Sequence, residues 1–403
     1  MKVLLIDVNC KNSSTGQIVY SVYSYLNSNG HDSAVCYGRG DKIGETNIYK
    51  FGIDIETVFH AFMTRLTGYM GYFSFFSTCR LIKFIKAFKP DVVHLHEIHS
   101  YFVNVNKLLS FLKKNKFKTV ITLHCEFFYT GKCGHSLTCE KWKTECGKCP
   151  RKKDYPSSLF FDKTRTMFRQ KKTLLQDFPN LIVTAPSKWL AERAKLSFLK
   201  DHKIFCVPNG IDTNIFYPQD VSDMREEMGI QSNEMVVLSV APHLMSKLKG
   251  GEYVLKIAER LKDKPIKFIL VGVDDVIKEE NANVIKFGPI YDKTRLARLY
   301  SLADVFLICS ERENFPTTCL EAQCCGTPIF GFNTGGTRET SVYEGNAFVD
   351  YEDIDDLVEL IYGANIKDDK ISKKISEIAT QKFGISAMAE NYLSIYKELY
   401  EQK

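Results

Sequence analysis

Short β-branched runs alternate with helix-length segments along most of the chain, and this alternation occurs twice. Such a pattern is typical of a parallel sheet whose two faces are covered by helices. The sequence therefore predicts an α/β fold with two doubly wound, Rossmann-like domains. The predicted strands are Lys2–Val8, Ser33–Tyr37, Asp91–Leu95, Lys118–Leu123, Leu181–Ala185 and Lys203–Val207 in the first half, then Met235–Val240, Lys267–Val271, Asn283–Phe287, Asp304–Cys309 and Pro328–Phe332.

A chain of 403 residues is long enough to bury two ordinary cores. We predict a first domain at 1–214 with a cysteine-rich loop at 125–150, and a second domain at 215–385. The join falls near Pro208–Pro218, and a final helix at 386–403 is expected to return to the first domain. Ligands of such sheets bind at the carboxyl ends of the strands, so we expect a cleft where two sheets face each other.

Charge is divided unevenly along the chain. Up to Asn214 there are 32 Lys and Arg against 17 Asp and Glu, whereas the remainder has 22 against 31. The basic half indicates an anionic partner such as nucleic acid, a phospholipid surface or a pyrophosphate-linked acceptor, or else a solvated lysine-rich surface. No signal-peptide pattern and no run of about 20 apolar residues is present. We therefore expect a cytoplasmic protein whose 13 cysteines are reduced thiols or metal ligands.

The most specific signal is the segment 310–322, which reads SERENFPTTCLEA. It predicts a strand end, a loop bearing Glu313, and a helix starting at Pro316. Free amides at the helix start, around Thr317 and Thr318, are suited to holding a diphosphate. Glu321, farther along the same helix, is placed to accept hydrogen bonds from a ribose diol. The alternative is two surface glutamates beside an ordinary helix.

This segment resembles the E-x7-E region of the family 4 glycosyltransferases, which have the two-domain GT-B fold. Gly16 in the first strand-to-helix loop, Val207–Asp212 at the domain join and Tyr300–Val305 before the motif match the family in the expected order. The resemblance implies retaining transfer of a sugar from a nucleotide diphosphate sugar of the UDP or GDP type. It also implies catalysis without a metal or other cofactor, in which the leaving phosphate helps to deprotonate the acceptor.

By this resemblance Glu313 lies by the transferred sugar, Glu321 holds the ribose and Lys249 neutralises donor phosphates. His243 replaces the family's partner arginine, so phosphate neutralisation is expected to shift to Lys247 or to the amides of Gly250 and Gly251. The implied donor-binding residues are Gly16, His243, Lys247, Lys249, Glu313, Asn314, Phe315, Thr317, Thr318 and Glu321.

Several histidines follow predicted strands of the first half. His124 ends a strand at the position where similar enzymes point a histidine toward the donor sugar, so the catalytic set is His124, Glu313 and Lys249. His94, His96 and His99 gather after another strand. They are either acceptor contacts or partly buried loop residues.

Cysteines cluster after the His124 strand. Cys146 and Cys149 have the spacing of a zinc knuckle, and Cys133 and Cys139 could complete a tetrahedral, structural site. Reduced free cysteines and a disulfide or redox role remain alternatives. The insertion looks like that of a subgroup including colanic acid glycosyltransferases, which implies bacterial exopolysaccharide or capsule synthesis on an undecaprenyl-linked acceptor.

An apolar stripe of Leu81, Phe84, Ile85 and Phe88 is flanked by basic residues. It predicts either a peripheral helix on the anionic inner face of the cytoplasmic membrane or a helix covering its own sheet. Two other activities are weighed against transfer: a different GT-B enzyme such as a nucleotide-sugar epimerase or sugar phosphorylase, and a zinc-containing nucleic-acid-binding protein. The E-x7-E loop favours transfer, and no recognition helix follows the cysteines, so we expect no nucleic-acid partner.

Overall fold

A computed structural model describes residues 1–273 and 282–401 and divides into two compact units. The first unit comprises 1–208 and 388–403, and the second comprises 209–387. The chain thus leaves the first unit after Pro208 and returns to it at Met388. Within the described ranges no helix is both long enough and apolar enough to cross a bilayer.

The first unit is a parallel sheet of seven strands with helices on both faces. The strands run in the order β3-β2-β1-β4-β5-β6-β7. Its elements, in chain order, are β1 (Lys2–Asp7), α1 (Ser14–Ser28), β2 (Asp32–Tyr37), β3 (Ile48–Lys50), α2 (Asp54–Thr67), α3 (Phe75–Phe88), β4 (Val92–Leu95), α4 (Val105–Lys114), β5 (Thr119–Thr122), α5 (Thr164–Leu175), β6 (Leu181–Ala185), α6 (Lys188–Lys195) and β7 (Lys203–Cys206).

The second unit repeats this architecture with six parallel strands in its described residues, in the order β10-β9-β8-β11-β12-β13. Its elements are α7 (Ser222–Glu227), β8 (Met235–Val240), α8 (Gly251–Arg260), β9 (Ile266–Val271), β10 (Val284–Phe287), α9 (Lys293–Leu302), β11 (Val305–Ile308), α10 (Thr317–Cys324), β12 (Ile329–Phe332), β13 (Ala347–Val349), α11 (Ile354–Tyr362), α12 (Asp369–Phe383) and α13 (Ile385–Glu401), the last of which continues into the first unit.

The central strands of each sheet are buried on both faces, which explains why they read as continuous apolar runs rather than alternating ones. In β1, every residue after Lys2 is buried. The predicted α/β fold of two doubly wound domains is confirmed. Two strands, Ile48–Lys50 and Ala347–Val349, are absent from the prediction. Each has three residues and lies at a sheet edge, so it carries too little pattern to be recognised.

The apolar stripe of α3 faces inward. Leu81 and Ile85 are fully buried, and Phe84 and Phe88 pack half-buried against the same core cluster. The stripe therefore covers the sheet, and it is not the membrane-binding face that was one of the two predictions for it. The opposite face of α3 exposes the basic residues Arg80, Lys83, Lys86 and Lys89.

Candidate active site

The strand order of the second unit reverses between β8 and β11, and ligands of open α/β sheets bind at such reversals. The loop after β8 carries Lys249, and the loop after β11 carries Glu313. Their side chains meet: Lys249 Nζ lies 2.7 Å from Glu313 Oε1. Backbone pairing holds the two loops together, since the amide of Glu311 donates to the carbonyl of Leu248 at 2.9 Å. The sheet thus brings together a cation and a carboxylate that are 64 residues apart in sequence.

Two glycines permit this close approach. Gly250 has φ +71°, and a Cβ atom there would lie 2.0 Å from the carbonyl oxygen of Cys309 in the neighbouring loop. Gly335 has φ +61°, and its Cβ would lie 1.9 Å from the carbonyl oxygen of Glu313. The amide of Gly336 donates to that same oxygen at 2.9 Å. Any side chain at either glycine would push the loops apart, so the position of Glu313 depends on both.

Helix α10 follows the Glu313 loop. It begins at Thr317, so the predicted start at Pro316 is one residue too early: Pro316 is extended, with ψ 119°. As the first helical residues, Thr317 and Thr318 have amides without intrahelical acceptors. Glu321 lies in the second turn of α10 and accepts a hydrogen bond from the Tyr300 hydroxyl at 2.9 Å. Burial raises the pKa of Glu321 to about 7.

Other predicted donor residues have different settings. His243, at φ +62°, and Lys247 are exposed in the loop after β8. Asn314 is buried, and the Phe315 side chain is buried against Phe383 of α12, so that ring belongs to the core.

The proposed phosphate contact from Gly250 and Gly251 is wrong for this conformation. Their amides already donate to the carbonyls of Ser246 and Leu244, at 3.1 and 3.0 Å. An amide that caps its own loop has no hydrogen left for a phosphate oxygen.

The strand order of the first sheet reverses between β1 and β4. A second cluster of titratable groups lies at the carboxyl ends of the strands of this sheet. Asp7 ends β1, and its Oδ1 accepts the amide of Glu97 at 2.9 Å. His99 Nε2 lies 2.6 Å from Glu97 Oε1. His124, two residues beyond the end of β5, has Nε2 3.0 Å from Nδ1 of His96. Thus β1, β4 and β5 each supply a titratable group to one end of the sheet.

Burial and neighbouring charges together set the protonation of the groups in this cluster. It raises the pKa of Asp7 to about 7, with a further contribution from nearby Glu97. Burial opposes the ionised form of Glu97, but His99 outweighs it and lowers the pKa of Glu97 to about 2. Burial likewise opposes a charge on His99, yet Glu97 and Cys125 hold its pKa well above the ordinary value. Burial lowers the pKa of His124 to about 4. At neutral pH the cluster therefore contains an ion pair, Glu97 with His99, and a neutral His124.

His94 is not among these loop residues. It lies within β4, fully buried, with Nδ1 2.6 Å from the Tyr396 hydroxyl and Nε2 2.7 Å from Thr122 Oγ1. Both ring nitrogens are engaged, so this histidine ties α13 to the sheet rather than contacting an acceptor. The sequence prediction omits Asp7 and Glu97. Asp7 is the last residue of β1 and Glu97 lies two residues beyond β4, so both are polar side chains at the carboxyl end of a buried strand, which is the signal used for His124.

Gly16 is also placed differently from the prediction. It lies in the first turn of α1 rather than in the loop before it. Its amide donates to Ser13 Oγ at 3.0 Å, and a Cβ there would approach the Asn9 carbonyl to 3.1 Å. Packing between the loop and the helix therefore accounts for a small residue here.

Both halves of the chain match family models of known proteins. Residues 15–215 match the family model described as Glycosyltransferase Family 4, and residues 220–382 match Glycosyl transferases group 1. The chain belongs to the family 4 glycosyltransferases. WcaC of Escherichia coli (strain K12), which carries the name of a colanic acid biosynthesis glycosyl transferase, is 26% identical over 326 residues, covering 77% of each chain.

Two solved structures of similar fold align over nearly the whole of this glycosyltransferase. Sucrose-phosphate synthase from Thermosynechococcus elongatus aligns over 100% of both chains with a TM-score of 0.70 and 17% identity. Anabaena Alr3699/HepE, solved in complex with UDP-glucose, aligns over 99% of this chain and 100% of its own, with a TM-score of 0.65 and 17% identity. These likenesses confirm the GT-B fold.

In this glycosyltransferase the second unit offers a cation, a carboxylate and helix-terminal amides within two adjacent loops and one helix. That set can bind a diphosphate and hydroxyl groups, because cations and free amides neutralise phosphate oxygens while carboxylates accept hydrogen bonds from hydroxyls. Asp353, the first residue of a D-x-D sequence, caps α11 by accepting the amide of Asp356 at 3.1 Å. Its side chain therefore caps a helix, and it lies far in sequence from the Glu313 loop.

Proposed function

We propose that the chain is a retaining hexosyltransferase that moves a sugar from a UDP- or GDP-type nucleotide sugar onto a glycan acceptor without a catalytic metal. The observation that carries this proposal is the Lys249–Glu313 pair at the strand reversal of the second sheet. A single cation held by a carboxylate keeps a fixed position before the ligand arrives, so it can meet the diphosphate without a large reorganisation.

In the proposed complex, Lys249 neutralises charge that develops on the leaving diphosphate while Glu313 accepts hydrogen bonds from sugar hydroxyls. Thr317 and Thr318 amides share the phosphate charge, and Glu321 accepts from the ribose diol. His124, neutral because its pKa is about 4, acts as a hydrogen-bond donor or acceptor rather than as a cation. Exposed Lys247 is the remaining candidate for the charge that the family arginine would supply.

The resemblance to WcaC, whose name refers to colanic acid biosynthesis, supports a place in exopolysaccharide or capsule synthesis. We propose in addition that the enzyme is cytoplasmic and that its acceptor is undecaprenyl-linked. A membrane-bound acceptor requires the enzyme to reach the bilayer surface. Helix α2 offers such a surface: Ile55, Val58, Phe59 and Phe62 are 79, 70, 52 and 60% exposed on one side of the helix. We call these four residues the α2 apolar face.

The α2 apolar face is extended at both ends by other exposed apolar side chains. Phe75 and Phe76, at the start of α3, are 52 and 69% exposed, and the amide of Phe76 donates to buried Glu56 of α2. At the other end Leu159 is 62% exposed, and its amide donates to the carbonyl of Arg65 at 2.8 Å. These exposed apolar side chains, together with the exposed lysines of α3, fit an anionic lipid bilayer, which takes both apolar and basic groups.

The donor proposal is tested by calorimetric titration of UDP, GDP and ADP in EDTA. We expect one nucleotide to bind at micromolar affinity and to bind about 10- to 100-fold more weakly to Lys249→Met, because a charged hydrogen bond contributes about 1.5–3 kcal/mol. Lys256→Met, at an exposed position of α8, is the matched control and should bind normally. Equal weakening in both variants, or no binding of any diphosphate, would contradict the assignment of Lys249.

The membrane proposal is tested by sedimentation with vesicles of phosphatidylglycerol and phosphatidylcholine at low salt. Replacing Phe59 and Phe62 by Ser should reduce binding more than tenfold, since burying each phenylalanine contributes about 1.5–3 kcal/mol. Tyr291→Ser removes an aromatic ring that is 90% exposed in the second unit, and it should leave binding unchanged. Wild-type protein that stays in the supernatant with anionic vesicles would refute the proposal.

A further inference from the structure

The chain between the short 3₁₀ turn Glu126–Phe128 and α5 is a long irregular segment. Within it, the structure shows one further 3₁₀ turn, at Lys141–Lys143. Loops longer than about 15 residues without secondary structure are uncommon in compact domains and need another source of order. Part of that order comes from Trp142, which is buried with the Arg193 guanidinium 4.6 Å above its ring. Cysteines 133, 139, 146 and 149 all belong to the same segment.

The four cysteines line one small cavity with a volume of about 20 Å³. That volume admits a single water-sized sphere. All four cysteines are free thiols. The cavity wall also includes the buried side of Trp142 and the backbone turn at Gly147. Four cysteines spread over 17 positions of an irregular loop therefore border one shared space.

Local backbone geometry favours sulfur as a ligand rather than as a packing atom. The amide of Gly131 donates to Cys146 Sγ at 3.2 Å, a contact that stabilises negative charge on sulfur. Gly147 and Lys148 both have positive φ, at 146° and 46°, and this turns the chain sharply between Cys146 and Cys149. Such a turn allows two sulfurs three residues apart to approach one ion.

The cavity wall contains no carboxylate among its described residues, and it contains two lysines whose ammonium groups are directed to backbone carbonyls. Lys132 Nζ donates to the carbonyls of residues 152, 154 and 156 at 2.7–2.9 Å. Lys141 Nζ donates to those of residues 147 and 148. A site of four thiolates around a divalent ion carries a net charge of about −2. Two fixed lysines beside it offset that charge, and the lack of a carboxylate among the described wall residues disfavours hard cations such as Mg²⁺ and Ca²⁺.

A second group of potential ligands is already satisfied without a metal. Among the residues that the structure describes, Glu97, His99 and Cys125 are the group with three ligand atoms within 4.8 Å of one another. Glu97 and His99 form the ion pair described above, which accounts for their proximity. No three of the four sulfurs in the cysteine loop lie within 4.8 Å of one another, whereas sulfurs around tetrahedral zinc with Zn–S bonds of about 2.3 Å lie about 3.8 Å apart.

We propose that Cys133, Cys139, Cys146 and Cys149 bind one structural Zn²⁺ ion, which draws the four sulfurs together and fixes the loop that begins next to His124. With four protein ligands the ion has no open position, so it takes no part in sugar transfer. Its function is to replace the missing secondary structure of the segment.

The full-length chain, purified without chelator, is first analysed for metal by mass spectrometry. We expect about one zinc per chain, and only trace zinc in Cys146→Ser/Cys149→Ser. Cys79→Ser/Cys206→Ser removes two exposed cysteines outside the loop and should keep the full amount. Wild-type protein without zinc, or equal zinc in both double variants, would overturn the proposal.

A measurement on the wild type alone guards against a variant that does not fold. Titration with a mercurial reagent should release one zinc ion as four thiols react, and it should lower the melting temperature. After the reagent is removed with excess thiol, added Zn²⁺ should restore the melting temperature and added Mg²⁺ should not. Thiol counting in denaturant should find all 13 cysteines. A count lower by two or four would indicate disulfides and would also overturn the proposal.

Discussion

Glu321→Gln should strengthen the fold and weaken nucleotide binding. The carboxyl group is held in α10, where it accepts the Tyr300 hydroxyl, and burial raises its pKa from 4.5 to about 7. A raised carboxyl pKa means that the folded state binds the proton more tightly than the unfolded state does. The free energy of unfolding is therefore highest when the group is protonated, and it falls as the pH rises from about 4.5 through 7.

The magnitude follows from the shift. A change of about 2.5 pKa units corresponds to at most about 3 kcal/mol, of which on the order of 1 kcal/mol is lost between about pH 6 and pH 8.5. Glutamine keeps an oxygen for the Tyr300 hydroxyl but carries no charge. The variant should therefore be more stable than the wild type, and its advantage should grow with pH.

Nucleotide affinity should move in the opposite direction. A ribose diol binds the ionised carboxylate, and one pH unit below a pKa of about 7 only about a tenth of the groups are ionised. Wild-type affinity for the preferred diphosphate should thus rise by up to about tenfold between about pH 6 and pH 8. Glu321→Gln should bind about 10- to 100-fold more weakly than the wild type above pH 8, because a charged acceptor is lost.

Scanning calorimetry and isothermal titration at several pH values measure both quantities. The thermal transition that the diphosphate shifts identifies the second unit, which avoids treating the whole chain as one cooperative unit. The ligand's own phosphate titrates equally in both proteins, so the difference between wild type and variant isolates Glu321. A pH-independent stability difference, or unchanged affinity in the variant, would refute the reasoning.

Three further predictions concern parts of the structure outside the two glutamates. Gly250→Ala should lower the melting temperature far more than Gly229→Ala in thermal unfolding of the two variants. Both glycines have positive φ, but of the two only Gly250 has a backbone oxygen where the Cβ atom would lie. Tyr396→Phe should lower the free energy of unfolding, measured with urea, by about 1–3 kcal/mol, because it leaves the buried His94 Nδ1 without its partner. Tyr400→Phe, at a half-exposed ring, should lower it little, and equal losses in the two variants would contradict the role given to His94. Lys132→Met should make the cysteine loop more sensitive to limited proteolysis, because three carbonyls lose one charged donor, and Lys153→Met at an exposed position should not change the cleavage rate.

The sheets could be predicted from the sequence because buried parallel strands are continuous apolar runs. Such runs can be recognised without knowing which strands lie beside them. It also located Glu313 and Lys249, whose surroundings depend on glycines visible in the sequence. Whether an amide is already used cannot be read this way: Gly250 and Gly251 donate to carbonyls four to seven residues earlier, and only the folded loop shows it. Likewise, the amphipathic pattern of α3 is the same whether its apolar side meets lipid or its own sheet.

His94 shows a different limit. Its position near the end of a strand matched that of a ligand-binding histidine, but its partner Tyr396 lies 302 residues away in α13. Long-range pairing of this kind leaves no local trace in the sequence. Asp7 could have been found, since it lies at the carboxyl end of a buried strand just as His124 does.

The return of α13 to the first unit has a consequence for synthesis on the ribosome. Met388, Tyr392, Ile395, Tyr396 and Leu399 are buried in a core cluster shared with β1 and α1. These residues are translated after the whole of the second unit, which comprises residues 209–387. The strands of the first unit are therefore synthesised before the helix that completes the cover of this apolar face, and the second unit has the opportunity to fold before the first is complete.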